Sequence, residues 1–68
     1  MNRFTDRQKK IIKEIHNSNT FITGKSLSLI LNVSLRTIQS EVSAINKVLH
    51  LILSTNRGYK IDDNLYKT

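Results

Sequence analysis

Residues 23 to 47 read TGKSLSLILNVSLRTIQSEVSAINK, and the fold of the chain turns on them. They spell two helices divided by a three-residue break, Asn32-Val33-Ser34. Ser34 is suited to an N-cap, its hydroxyl accepting from a free N–H of the following turn, and Thr23 can do the same for the helix before it. After Ser34 the apolar residues Ile38, Val42, Ile45 and Leu49 recur at helical spacing and form one stripe. At about 100° per residue the opposite face collects Arg36, Ser40, Ser43 and Lys47, flanked by Thr37 and Gln39. Glu41 falls toward the buried flank, so the outer face holds small hydroxyls, an amide and two cations, without an acid.

Small side chains on such a face let a helix backbone approach base edges, and Arg, Gln, Ser and Thr carry donors and acceptors that the major groove matches. A capped second helix after a very short turn has the spacing of a helix-turn-helix. The plainer reading of the same residues is a solvated face in a small helical bundle.

Working outward, Thr5-Asp6-Arg7-Gln8 fits a capping box, with Thr5 at the N-cap and Gln8 at the third helical position. The first helix is expected from about Asp6 to Asn17. Its inner stripe is the stem of Gln8 with Ile11, Ile12 and Ile15; Arg7, Lys9, Lys10, Lys13 and Glu14 lie outside, and Lys10 and Glu14 are spaced for a weak pair. Asn17-Ser18-Asn19 ends it, since all three residues favour caps and turns. Thr20-Phe21-Ile22 reads as a one-bridge strand that sends Phe21 or Ile22 into the core. The second helix covers about Gly24 to Leu31, with Leu27 and Leu31 inward, Ile30 beside them and Leu29 exposed. The third runs from Leu35 to about His50. Leu51 to Ser54 then forms a strand, Thr55-Asn56-Arg57-Gly58 a turn in which Asn and Gly tolerate positive φ, and Tyr59 to Ile61 the returning strand. Tyr59 and Ile61 should face one side and Lys60 the other. Residues 62 to 68 lack periodicity and read as a linker or tail, leaving 1–61 as the folded domain.

The expected fold class is therefore mainly α with a small β-hairpin: three helices plus a wing, in the order α-β-α-α-β-β. A hairpin after the outward-facing helix would offer Asn56 and Arg57 at its tip to a DNA backbone or minor groove.

Composition narrows the function. The chain has 68 residues, 38% of them hydrophobic, enough for one small core. Eleven Lys and Arg against five Asp and Glu give a net charge of +6, a bias toward a polyanionic partner. There is no Cys, and His16 and His50 lie far apart, so neither thiol chemistry, a disulfide nor a zinc site is expected. No residue set for catalysis is readable: no His paired with an acid, no glycine-rich phosphate loop. No cofactor is implied. No apolar run reaches membrane-spanning length, no signal-peptide core opens the chain, and no membrane partner is expected. The four aromatics, Phe4, Phe21, Tyr59 and Tyr66, are assigned to core or tail, which disfavours RNA recognition by stacking.

The wording is also familiar. Phe21-Ile22-Thr23-Gly24-Lys25, then Leu31-Asn32-Val33-Ser34-Leu35-Arg36-Thr37-Ile38, then Arg57-Gly58-Tyr59, resembles the N-terminal winged helix of bacterial sugar-operon activators, the mannitol- and lichenan-type regulators with phosphotransferase regulation domains. Mga-like activators and the DeoR-type and biotin-repressor domains are similar. The likeness covers about Phe4 to Ile61. It implies a transcription regulator that binds double-stranded DNA, enters the major groove with Leu35 to Lys47, reads or grips it through Arg36, Thr37, Gln39, Ser40 and Ser43, and touches the backbone through Asn56 and Arg57; Ser34 and Lys47 are counted among the expected DNA-binding residues as well, and the lack of a signal or membrane segment sets the expectation of a cytoplasmic protein. The likeness further implies a homodimer formed through regions outside this fragment. Gln39 and Ser40 stand where relatives often carry Arg or Asn, and a Gln favours adenine. Leu29 and Ile30 stand where relatives are usually charged. They keep open an alternative, a winged helix that docks on protein without reading DNA.

Overall fold

The computed structural model describes residues 4–62. Three helices, α1 (Asp6–Asn17), α2 (Gly24–Leu31) and α3 (Leu35–Val48), precede an antiparallel hairpin of β1 (Ile52–Thr55) and β2 (Gly58–Ile61). Each helix begins at a hydroxyl. Thr5 accepts from the Gln8 N–H at 3.2 Å while the Gln8 amide oxygen accepts from the Thr5 N–H at 3.0 Å, closing the capping box. Thr23 accepts from the Ser26 N–H and Ser34 from the Thr37 N–H, both at 3.1 Å. These bonds satisfy donors that a helix N-terminus otherwise leaves free.

The break between α2 and α3 is as short as the sequence suggests. Asn32 takes the left-handed conformation at φ 57 and ψ 48, and the Val33 N–H returns to the Ser28 carbonyl at 3.0 Å. Asn tolerates this region at small cost. Val33 then packs on the core and Ser34 is already extended as the next cap.

One core joins all five elements. Ile11, Ile12 and Ile15 come from α1, Leu27 from α2, Ile38, Val42 and Ile45 from α3, and Leu51, Ile52 and Ile61 from the hairpin and its approach. Phe4, Ile22, Leu31, Val33 and Tyr59 pack around them half-buried. The short strand at residues 20–22 reduces to one bridge, Ile22 opposite Tyr59, with N–H to carbonyl distances of 3.0 and 2.7 Å. Of the two candidates for the core there, Ile22 packs on it; half-buried Phe21 lies 5.8 Å under the Lys60 ammonium. The hairpin pairs Ile52 with Ile61, Leu53 with Lys60, Ser54 with Tyr59 and Thr55 with Gly58, so Ile61 and Tyr59 face inward and Lys60 outward.

Several expectations need correction. Leu49 is not on the buried stripe; it is 36% exposed, and α3 stops at Val48, before His50. Leu49 is extended, at φ −151 and ψ 123, because the Asn46 side chain binds the backbone of Leu51 and Ile52 and pulls the chain out of the helix. Leu51 fills the core place instead, and β1 starts one residue later than expected. Ile30 is 48% exposed rather than beside the core, since α2 is only eight residues long and no described residue buries that flank. In the wing turn the positive φ belongs to Gly58 (127°) and not to Asn56; the left-handed asparagines are Asn19 and Asn32, after the first two helices. Among the described residues the ion pair formed is Arg7–Glu41, at 3.6 Å, not Lys10–Glu14. Asp62, expected in the tail, still donates its N–H to the Leu51 carbonyl at 2.8 Å; the rest of that expected tail lies outside the described residues.

Candidate nucleic-acid interface

Because the aliphatic stripe of α3 is held by the core, its opposite face is left outward. Arg36, Gln39, Ser40, Ser43 and Lys47 are all exposed and line one shallow groove, together with Leu35 and Ala44. This brings together five of the nine residues singled out from the sequence. Ser34 and Thr37 stand at the start of the same helix but serve it first. Their hydroxyls lie 2.9 Å apart, and Ser34 holds the Thr37 N–H as well.

Asn56 enters a second cleft, where the start of α2, the start of α3 and the wing converge. Thr23, Gly24 and Lys25 form one wall, Ser54, Thr55, Asn56 and Tyr59 the other, and Leu35 and Gln39 the shared ridge with the α3 groove. Arg57 is exposed at the tip of the turn, apart from both concavities. The tip is braced by Thr55, whose hydroxyl accepts from the Arg57 N–H at 3.1 Å and donates to the Gly58 carbonyl at 2.9 Å.

Sequence reading missed Lys25, Ser54 and Thr55 as wall residues of that cleft. The only local signal was Lys25, two residues after a hydroxyl cap; the hairpin residues meet it only in three dimensions. It also missed Asn46. This side chain makes three bonds, accepting from the N–H groups of Leu51 (3.1 Å) and Ile52 (2.9 Å) and donating to the Ile52 carbonyl (3.0 Å). It thereby fixes where the wing leaves α3.

The electrostatics of this face follow from where the acids are. The described acids are Asp6 and Glu14 on α1, Glu41, and Asp62 after the hairpin. Glu41 belongs to α3 but is turned to α1, where it accepts from the Gln8 amide at 3.1 Å and pairs with Arg7; its side chain is only 19% exposed. Among the described residues, both clefts are therefore lined without a carboxylate and with the cations Lys25, Arg36 and Lys47.

The profile of the family described as "HTH domain" matches residues 7–60, from the first turn of α1 to the end of the wing. The chain belongs to the HTH domain family. No curated protein matches it. Membership in this family points to DNA as the partner of the helix-turn-helix, and domains of this kind are typically not enzymes. Among the described residues no group of three or more His, Cys, Asp or Glu is placed to hold a metal ion, and no helix is long and apolar enough to cross a membrane.

Proposed function

We propose that this HTH domain binds double-stranded DNA sequence-specifically as the N-terminal part of a bacterial transcription regulator of the sugar-operon activator type. The observation carrying the proposal is the acid-free outer face of α3, with Arg36, Gln39, Ser40, Ser43 and Lys47 in one groove. The helix is 14 residues long, about 21 Å, and a major groove about 12 Å wide admits such a rod. Arg36 and Lys47 stand near its two ends, suited to phosphates on either side of the groove, while the uncharged residues between them face base edges. The wing then lies along the backbone, with Arg57 as the cation at its tip. On this reading residues 1–61 are the binding domain and 62–68 a linker or tail, and paired half-sites would be held by dimerisation through regions outside this fragment.

Fluorescence anisotropy with a pool of random duplexes, titrated with salt, tests the proposal. Log affinity should fall against log salt with a slope of about −3 to −5, as expected for several released counterions. Absence of binding at low salt would reject it. A second reading, docking on protein, is favoured by one observation: Leu29 is 75% exposed on α2 beside the half-exposed Ile30. On that reading Leu29→Asp abolishes partner capture while DNA affinity is absent in every variant.

Two substitutions separate the roles. Arg36→Ala should cost about 1–3 kcal/mol of affinity for the selected site if the guanidinium meets a base or a desolvated phosphate. Unchanged affinity would remove Arg36 from the interface. Arg57→Ala should weaken binding to all sequences alike and make the salt slope shallower by about 1. A loss confined to the selected site would mean that the wing reads bases.

A further inference from the structure

Leu35 poses a problem that the cationic face does not explain. It is the first residue of α3 and remains 45% exposed, an aliphatic side chain in the middle of the polar surface. Its Cδ1 lies over Gly24, 2.8 Å from where a Cβ on that glycine would sit, so the bare glycine leaves room for it at the start of α2. Gln39 follows one turn later on the same side, about 6 Å along the axis. Among the described residues these two alone line both the α3 groove and the wing cleft. They form the ridge between the two concavities, the part of the surface that a duplex lying across both must meet. Arg36 and Lys47 line only the α3 groove.

The chemistry of that ridge is selective. A Gln amide offers a donor and an acceptor together, matching N7 and the N6 amino group of adenine. The apolar feature of a major-groove edge is the thymine C5 methyl. An aliphatic side chain beside an amide therefore complements A·T pairs, and an offset of about 6 Å spans neighbouring base-pair steps. Half-buried Ala44 adds a second small apolar surface in the groove. Resting on the DNA-binding reading above, we infer that Leu35 and Gln39 are the specificity pair of this domain, reading an A·T step through a thymine methyl and an adenine edge, with Arg36 and Lys47 holding phosphate.

The test uses the whole chain and a site selected from random duplexes. Replacing thymine by uracil at the selected position removes only the methyl and should weaken binding about 4-fold, the usual value for one buried carbon. Replacing adenine by 7-deazaadenine removes one acceptor and should weaken it about 5-fold or more. The first effect should vanish in Leu35→Ala and the second in Gln39→Ala, each variant retaining the salt slope of the parent. A purely structural Leu35 would instead weaken thymine and uracil duplexes equally. That result, or a selected site rich in G·C whose preference is lost in Arg36→Ala, overturns the inference while leaving DNA binding intact. Failure to bind any duplex at low salt removes the DNA-binding reading and this inference with it.

Discussion

Gly58→Ala should leave the domain largely unfolded at room temperature, with an expected loss of about 3–5 kcal/mol. The residue has φ 127, a region that L side chains rarely adopt. Space is the harder constraint. A Cβ there would lie 2.5 Å from the Ile22 carbonyl oxygen, 2.7 Å from its carbon and 3.0 Å from the Thr23 nitrogen. All three are backbone atoms, and they are close because the Ile22–Tyr59 bridge draws the wing against the segment before α2. Relief requires breaking that bridge and lifting Tyr59 and Ile61 from the core. Strain of this kind costs about 1–3 kcal/mol by itself, and a chain of this size holds only about 3–5 in reserve. Gly24→Ala is the natural comparison. Its Cβ also meets an atom at 2.8 Å, but that atom is the far end of the Leu35 side chain, which can swing aside. Urea unfolding followed by circular dichroism should show a small shift for Gly24→Ala and a collapse of the native baseline for Gly58→Ala. Two equally stable variants would mean that the wing does not approach Ile22 this closely.

That contrast also marks where sequence reading succeeds. Features set by neighbours a few residues apart were legible. Thr5, Thr23 and Ser34 announce helix starts because an N-cap is a local bond, and the outer face of α3 follows from helical periodicity once Ile38, Val42 and Ile45 are placed inside. Features set by distant partners were not. Periodicity carried Leu49 into the core, but Asn46 takes hold of the backbone five and six residues on and ends the helix first. The turn composition tolerates positive φ at Asn56 and at Gly58 without choosing between them; Gly58 takes it, against a segment more than thirty residues earlier. The candidate interface divides the same way. Its α3 half lies on one helix and was read directly; the cleft joining Lys25, Gln39 and Asn56 draws on three separated segments and becomes visible only when they are folded together.

Asn46→Ala should be the second severe substitution, for a reason that links stability to binding. The side chain is half-buried, and its three bonds replace ladder bonds that the chain cannot make while it turns from α3 into β1. Alanine leaves the Ile52 N–H and carbonyl at a part-buried site without this partner, and the Leu51 N–H with its bond to the Leu49 carbonyl at 2.6 Å. At about 1–3 kcal/mol for each unsatisfied buried group, discounted because water reaches part of the site, the expected loss is about 2–4 kcal/mol. Asn46→Asp should also lose stability, since its carboxylate still accepts from Leu51 and Ile52 but sets an acceptor oxygen against the Ile52 carbonyl, where the amide donated at 3.0 Å. Function should follow the wing. Leu51 and Ile52 root the hairpin in the core, so freeing them loosens the placement of Asn56 and Arg57 relative to Arg36 and Gln39. Under conditions where Asn46→Asp remains folded, its DNA affinity should fall and its salt slope should become shallower, as in Arg57→Ala, because the wing cation no longer sits at a fixed distance from the backbone. A stability loss below about 0.5 kcal/mol for Asn46→Ala would show that the wing is held by Leu51, Ile52 and Ile61 packing alone.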